Sequence, residues 1–429
     1  MSGSTGDSTP SMPGAKGGAR ATTTAGLRGA YWTLDELPSG VTLTVHALKT
    51  ADKAVVTGYL FKRGGEKTVV CAMHPREMLV PQYMVPHVLD AGCAMWVQGP
   101  RSVGNDIRLE HEAALLDMAA GQKFLAERYE NRVLMGSSGG GPLASFYIQQ
   151  AMKAGSERIA RTPGGRAIGL EEAEMVLPSG LILLSSHLGQ GPLLLNCIDP
   201  SVTDENDATA TDPSLDAFDP ANGFAPPPES SSYGADFLSR YRAGQLARVE
   251  RLDAIARGIL SKRAAARKSV KEGFSRSAAI AAAHSPVMTI WRTDADPRCF
   301  DLNLEPSPRA YGTLWGANPY VSNYGTVAFA RLCSAESWLS NWSVLSSNAT
   351  MEKCAPDLRL PTLMVEYTGD NSVFPSEADR LFELIGSPGK RRVQVLGNHQ
   401  GGAIRPGEPG GQAEAGGHVG AWLAEHGFA

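Results

Sequence analysis

The chain has little of what would restrict its class at once. Its six cysteines, Cys71, Cys93, Cys197, Cys299, Cys333 and Cys354, are scattered and form no CxxC pair. That scatter argues against a disulfide framework or a structural zinc site, and for buried or neutral thiols in a reducing compartment. No charge of one sign dominates. The 40 Lys+Arg against 44 Asp+Glu leave a formal net charge of −4, so nucleic acid is offered no broad basic face. Long apolar runs are missing as well: those at Leu181 to Leu184 and Leu193 to Leu195 are far too short to span a bilayer. The stretch from Met1 to about Arg28 is rich in Gly, Ser, Thr and Ala and has no apolar h-region, which speaks against a secretory signal. The expectation is a disordered tail over residues 1–30 and a cytoplasmic protein with neither a nucleic-acid nor a membrane partner. No internal repeat is present, and the composition leaves a homo-oligomer open.

What is there suits a large globular core: 42% hydrophobic and 20% charged residues over 429 positions. Short apolar stretches at Val41 to His46, Ala54 to Lys62 and Lys67 to Met73 read as strands. Arg63-Gly64-Gly65 turns the second into the third, and the first two are expected to be antiparallel. An alternation follows. A helix near Pro81 to Ala91 precedes a strand at Cys93 to Gln98. A helix near Ile107 to Tyr129, with Ala114, Leu115, Met118, Ala119 and Leu125 on one face, precedes a strand at Arg132 to Ser137. A helix at Gly140 to Ala154 precedes a strand at Leu181 to Ser185. This rhythm predicts an α/β fold with a mostly parallel sheet flanked by helices.

Near Asp199 the rhythm stops. Residues 199–229 are full of Asp, Pro, Ser and Thr, and no Lys or Arg occurs between Arg166 and Arg240. Asp204, Asn206 and Asp207 superficially suggest calcium ligands. An EF-hand counted from Asp204 would need Gly and Glu where Thr209 and Leu215 stand, so a solvated acidic loop is expected. A basic stretch, Arg240 to Arg276, reads as one long helix with a stripe of Leu238, Tyr241, Leu246, Val249, Leu252, Ala256 and Ile259. It is expected to pair with the acidic loop or to form a solvated face. An aromatic-rich stretch follows, with Trp291, Tyr311, Trp315, Tyr320, Tyr324, Trp338 and Trp342. The α/β rhythm then resumes: a strand at Thr362 to Tyr367, a helix at Ser376 to Ile385, a strand at Arg392 to Leu396 and a last helix at Gly417 to Glu425. Residues 31–199 and 356–429 thus form one sheet domain, interrupted by a largely helical insertion over 200–355, too long for a plain loop.

The sharpest signal is Val133-Leu134-Met135-Gly136-Ser137-Ser138-Gly139-Gly140-Gly141-Pro142. It holds Gly136-x-Ser138-x-Gly140 between a predicted strand and a predicted helix. A nucleophile on so tight a turn has strained backbone angles and needs small neighbours, and the helix N-terminus behind it favours an oxyanion. This pattern resembles the α/β-hydrolase superfamily from about Tyr31 to Ala429, with the insertion where that superfamily carries its cap. The resemblance implies the order nucleophile, acid, histidine. His399, in Leu396-Gly397-Asn398-His399-Gln400-Gly401, follows the last strand and fits the base better than His418 or His426. Asp370, in Thr368-Gly369-Asp370-Asn371-Ser372-Val373-Phe374-Pro375, fits the acid. The superfamily often has that acid four residues before the proline, where Asn371 stands here; Glu366 is a further alternative. The resemblance also implies an oxyanion hole from the backbone N–H groups of Gly139 and Arg76, the latter in Met73-His74-Pro75-Arg76-Glu77.

His74 reads as a loop brace with a weaker reading as a substrate contact. The side chains of Arg76 and Arg101 could hold a substrate carboxylate, or form salt bridges with Glu77 or Asp106. His187, which ends the strand before the insertion, could line the pocket. The implied function is a serine hydrolase for a carboxylic ester or lactone of an apolar or aromatic small molecule, with no cofactor and no metal. Carbon–carbon bond hydrolysis of a diketone-type compound, amide hydrolysis and thioester hydrolysis would use the same triad. The different class is a non-catalytic binding protein on the same fold. Ser138 speaks against the branch that attacks epoxides or haloalkanes with an aspartate.

Overall fold

The computed structural model describes residues 37–429 apart from 81, 105 and 327. The expected N-terminal tail and residues 31–36 of the expected sheet domain lie outside the described residues. Eight strands make one sheet: β1 (Thr42–Lys49), β2 (Val55–Lys62), β3 (Thr68–Met73), β4 (Ala94–Gln98), β5 (Asn131–Ser137), β6 (Gly180–Leu184), β7 (Thr362–Tyr367) and β8 (Lys390–Val395). Their spatial order is β1-β2-β4-β3-β5-β6-β7-β8. β2 is antiparallel to both neighbours, and every other pairing is parallel. This is the α/β-hydrolase arrangement.

The central strands are buried end to end, as β3, β4 and β6 show. Helices cover both faces, so these strands read as continuous apolar runs rather than alternating ones. The edge strands β1 and β8 carry Lys, Arg and Thr, which blunts edge pairing with other chains. One face is packed by α1 (Met84–Asp90) and α8 (Gln412–Glu425) through Val85, Leu89, Val419 and Trp422. The other is packed by α2 (His111–Ala126), α3 (Gly140–Ala151) and α7 (Pro375–Leu384) through Leu116, Leu143, Phe146 and Leu381. Each such aliphatic or aromatic side chain contributes on the order of 2 kcal/mol of burial.

Three elements depart from the expected pattern. α2 buries His111, Glu112, Asp117 and Gln122 as well as its apolar face, because its first turn also meets Ser340 of the insertion. α8 starts five residues early, running through Gly416 and Gly417. A Cβ on Gly416 would sit 2.4 Å from the His87 ring, so this glycine permits close packing of α1 on α8 rather than breaking the helix. The basic stretch is two helices, α5 (Ala235–Glu272) and α6 (Arg276–Ala283), divided at Gly273-Phe274-Ser275. Along α5 the buried positions are Phe237, Tyr241, Gln245, Arg248, Val249, Leu252, Asp253 and Ala256, whereas Leu246 is exposed. Arg248 is inside because it donates to the Asp199 and Trp291 carbonyls and to Glu205.

The acidic segment is only partly a solvated one: Asp204, Asn206 and Asp207 are exposed, as expected, but on a hairpin. Asp199 is fully buried against Arg292, 2.7 Å away. Asp204, Asp207, Asp212, Asp216 and Asp219 each accept a backbone N–H two residues on. They are turn-formers, building the hairpin Val202–Asp204/Asp207–Thr211 and two 3₁₀ turns. The insertion has its own cores, one around Trp338, Leu339, Trp342, Val249 and Leu252, another around Phe218, Phe224, Phe237, Tyr241 and Phe300. Helices form only part of it: between Pro297 and Ala349 irregular backbone predominates. Among the described residues no helix is long and apolar enough to cross a membrane.

Candidate active site

Ser138, Asp370, His399, His74 and His187 gather at the carboxyl ends of β3, β5, β6, β7 and β8, where a parallel sheet turns every following loop to one side. β5 delivers Ser138. Its φ of +52° lies in the left-handed region, a conformation that costs an L-residue about 1–2 kcal/mol. Its N–H donates to the Leu184 carbonyl at 2.9 Å, which fastens the turn to β6. The glycines around it are required by space: a Cβ on Gly136 would lie 2.5 Å from Gly141 Cα, and one on Gly140 2.8 Å from the Met73 carbonyl. α3 starts immediately behind the serine, and the N–H of Gly139, its N-cap, is one of the orphan donors of that helix.

β8 leads into the loop that carries His399. Asn398 shapes this loop, its Oδ1 accepting from the N–H of Gln400 and of Gly402, both at 3.0 Å. β7 leads into the turn that carries Asp370, whose Oδ1 accepts from Ser372 N–H at 2.6 Å and Val373 N–H at 3.1 Å. The other oxygen, Oδ2, is 2.7 Å from His399 Nδ1, and His399 Nε2 is 3.0 Å from Ser138 Oγ. The carboxylate accepts a hydrogen bond from Nδ1–H, so Nε2 presents its lone pair to the serine hydroxyl. Asp370 and His399 are 2% and 4% exposed, which keeps water from competing for either bond.

The alternatives for acid and base lie elsewhere. Asn371 turns to the insertion, donating from Nδ2 to the Gly312 carbonyl at 3.1 Å. Glu366 is held within β7 by Arg392 at 2.6 Å. His418 is on α8 beside Glu414, and His426 bonds the Trp422 carbonyl.

The loop after β3 corrects one expectation. Arg76 N–H does not face the nucleophile; it donates to His74 Nδ1 at 3.1 Å, as does Glu77 N–H at 3.1 Å. A ring nitrogen that accepts carries no proton, so the His74 proton sits on Nε2. That Nε2 lies 3.1 Å from where a Cβ on Gly139 would be, beside Gln190 Nε2 at the same distance. The Arg76 side chain is doubly bonded to Asp106, at 2.7 and 2.8 Å, and stacks on Trp342; it reaches the cleft wall as part of that ion pair.

Arg101 is a second correction. It does not reach the cleft. Its guanidinium is shared between Asp117 on α2 and Asp52 in the β1–β2 turn, and it is a structural tie rather than a substrate contact. The pairing with Arg101 holds the Asp52 carboxyl down at about 2.

His187 does line the cleft. Its Nδ1 accepts from Gly189 N–H at 3.1 Å, and burial, with the nearby His399 and His74, pushes its pKa well below 6.5. It therefore presents a neutral ring. The sequence reading missed Gln190, the first residue of α4 (Gln190–Cys197), which is buried in the cleft. A signal existed: Gly189-Gln190-Gly191-Pro192 after β6 repeats the glycine–proline helix start of Gly139-Gly140-Gly141-Pro142 after β5. The rest of the wall is mixed: Glu77, Ser137, Ser372 and Gln400 are polar, while Leu79, Leu193 and, on the insertion side, Leu314, Trp315 and Phe329 are apolar.

No family model and no curated protein matches the chain. Solved structures that resemble it do so distantly. One is DcsB in complex with its substrate analogue, 13% identical, covering 90% of this chain and 99% of that one at a TM-score of 0.44. Another is a Pyrococcus furiosus esterase, 10% identical, covering 92% and 93% at 0.40. A third is a malate-bound esterase from Thermogutta terrifontis, 13% identical, covering 89% and 99% at 0.40.

Proposed function

We propose that this protein is a serine hydrolase that cleaves a carboxylic ester or lactone of an apolar or aromatic small molecule through an acyl-enzyme. The observation that carries the reading is the unbroken line from Asp370 through His399 to a strained Ser138. Serine is a weak nucleophile unless a base within hydrogen-bond reach takes its proton, and that base needs an orienting acid.

In this reading Ser138 Oγ attacks the substrate carbonyl carbon while its proton passes to His399 Nε2. Asp370 stabilises the imidazolium. The carbonyl oxygen, now an anion, accepts from Gly139 N–H and from His74 Nε2–H, whose tautomer two backbone donors have already selected. Each such donor is worth roughly 10²–10³ in rate. Collapse breaks the carbon–oxygen bond to the leaving alcohol, which takes the proton from His399. Water then gives a proton to His399, attacks the acyl carbon and frees Ser138. Trp315, Phe329 and Leu314 support an apolar acyl or alkoxy group, and the one cation of the lining, Arg76, is already paired with Asp106.

Intact-mass labelling with a fluorophosphonate tests the reading: one adduct on the wild type and none on Ser138→Ala. An adduct that survives Ser138→Ala, or none on folded wild type, overturns it. A panel of esters, lactones, amides, thioesters and diketones then assigns the bond.

A further inference from the structure

The second half of α5 and the whole of α6 pack against each other as a helical hairpin. Up to Ala256, α5 is anchored by Tyr241, Val249 and Leu252, and three of its four cations are ion-paired: Arg248 and Arg251 with Glu205, Arg242 with Asp296. From Arg257 to His284 no residue is buried. This segment holds seven Lys and Arg against the single acid Glu272, in a chain whose net charge is −4. Among the described residues Lys262, Arg267, Lys271 and Arg276 make no ion pair, and Lys268 has only the exposed contact to Glu272 at 3.7 Å.

Three of the four on α5 share one face; Lys262 lies across the helix from them, and Arg257, which joins them, also contacts Asp253 at 3.6 Å. At about 100° per residue, Arg257, Arg267, Lys268 and Lys271 fall within an arc of about 100°. The half-buried Ile259, Ala266 and Val270 lie on the other side. Two large apolar side chains of the same hairpin are exposed. Phe274, in the bend of the hairpin, is 79% exposed, and Ile280 on α6 is 56% exposed. Water is a poor place for either, and nothing among the described residues covers them.

We infer that the α5–α6 hairpin docks the protein on membrane surfaces that carry anionic lipid. Cations on the outer face of α5 meet lipid phosphates, while Phe274 and Ile280 enter the acyl boundary. This is the division of labour of an interfacial amphipathic helix. Nucleic acid fits less well: it would want aromatic rings interleaved with the cations for base stacking, and the only aromatic in the hairpin is at its tip. The inference stands apart from the hydrolase reading, because none of these residues lines the cleft.

The test is vesicle flotation of the full chain with phosphatidylcholine alone and with phosphatidylcholine–phosphatidylserine at roughly 7:3. The wild type should partition onto the anionic vesicles at least about tenfold more strongly, and high salt should release it. The triple variant Arg267→Glu, Lys268→Glu, Lys271→Glu should bind at least about 100-fold more weakly. Phe274→Ser should weaken binding several-fold without abolishing salt-sensitive contact. Thermal melting of each variant serves as the folding control, and since all four residues are exposed it should match the wild type. Equal binding to both vesicle types, or an unaffected triple variant, overturns the inference. So does retention of duplex DNA or of a second copy of the chain, lost in the triple variant, with no vesicle binding.

Discussion

The backbone N–H of Arg76 donates to Nδ1 of His74 across 3.1 Å. One bond reassigns two residues: it withdraws the expected oxyanion donor and places a ring proton on the side of Gly139. His74→Ala should therefore lower kcat by about 10²–10³ with little change in KM. Affinity for a tetrahedral boronate inhibitor should fall in parallel. A His74→Ala enzyme that loses stability but keeps its kcat and its boronate affinity would reduce His74 to a brace.

Asp370 and Asn371 are adjacent but differ in what they hold. Asp370→Asn keeps the shape and offers His399 the wrong partner, so kcat should drop by about 10⁴. Asn371→Ala removes one hydrogen bond to the Gly312 carbonyl, with a stability loss of about 1 kcal/mol and near-normal turnover. Steady-state kinetics and urea melts on both variants decide it. Equal activity losses at the two positions would refute the assignment.

Arg101 should matter for folding and not for turnover. Its partner Asp117 is fully buried, so Arg101→Ala strands a carboxylate in the core. Burial already pushes that carboxyl upward against the pull of Arg101. The expected cost is about 3 kcal/mol, read as a shift in the urea midpoint, with kcat/KM per folded molecule unchanged. A KM rise for carboxylate-bearing substrates alone would return Arg101 to the cleft.

Acid should destabilise the protein through its buried imidazoles. Burial lowers the His111 pKa from 6.5 to about 4, with its Nδ1 on the Ser340 carbonyl. Between those values the unfolded chain binds a proton that the folded one refuses. Stability is thus complete above pH 6.5 and declines as pH falls through that window. The loss is about 3 kcal/mol by its lower end, and His187 acts in the same direction. His111→Gln should flatten the slope of urea midpoint against pH. A wild-type curve that stays level through the window contradicts this account.

The sheet was legible because strands buried on both faces leave unbroken apolar runs, as in β3 and β6, and because Gly136, Gly140 and Gly141 must be small for Ser138 to make its turn. What stayed hidden depends on direction and distance. No spacing reveals that Arg76 N–H turns back on a histidine, nor that the partners of Arg101 are 49 and 16 residues away. The acidic segment was only partly read because the same Asp residues serve water and turns equally well. The expected pairing of the basic helix with the acidic segment does occur, Arg248 and Arg251 both meeting Glu205, but that Arg248 is buried there could not be read from spacing. The last helix was begun too late, at Gly417, because the use of Gly416, close packing on the ring of His87, belongs to another helix.

The insertion also sets an order in time. His399 follows Ser138 by 261 residues and Asp370 by 29, so nucleophile and base fall on opposite sides of the inserted segment. During synthesis the serine turn emerges from the ribosome long before β8 can pair with β7. At an ordinary pace of about 5–20 residues per second, that interval is on the order of ten seconds or more. Until it ends, the proposed chemistry has a nucleophile and no base, and a nascent or truncated chain is inert toward the esters around it.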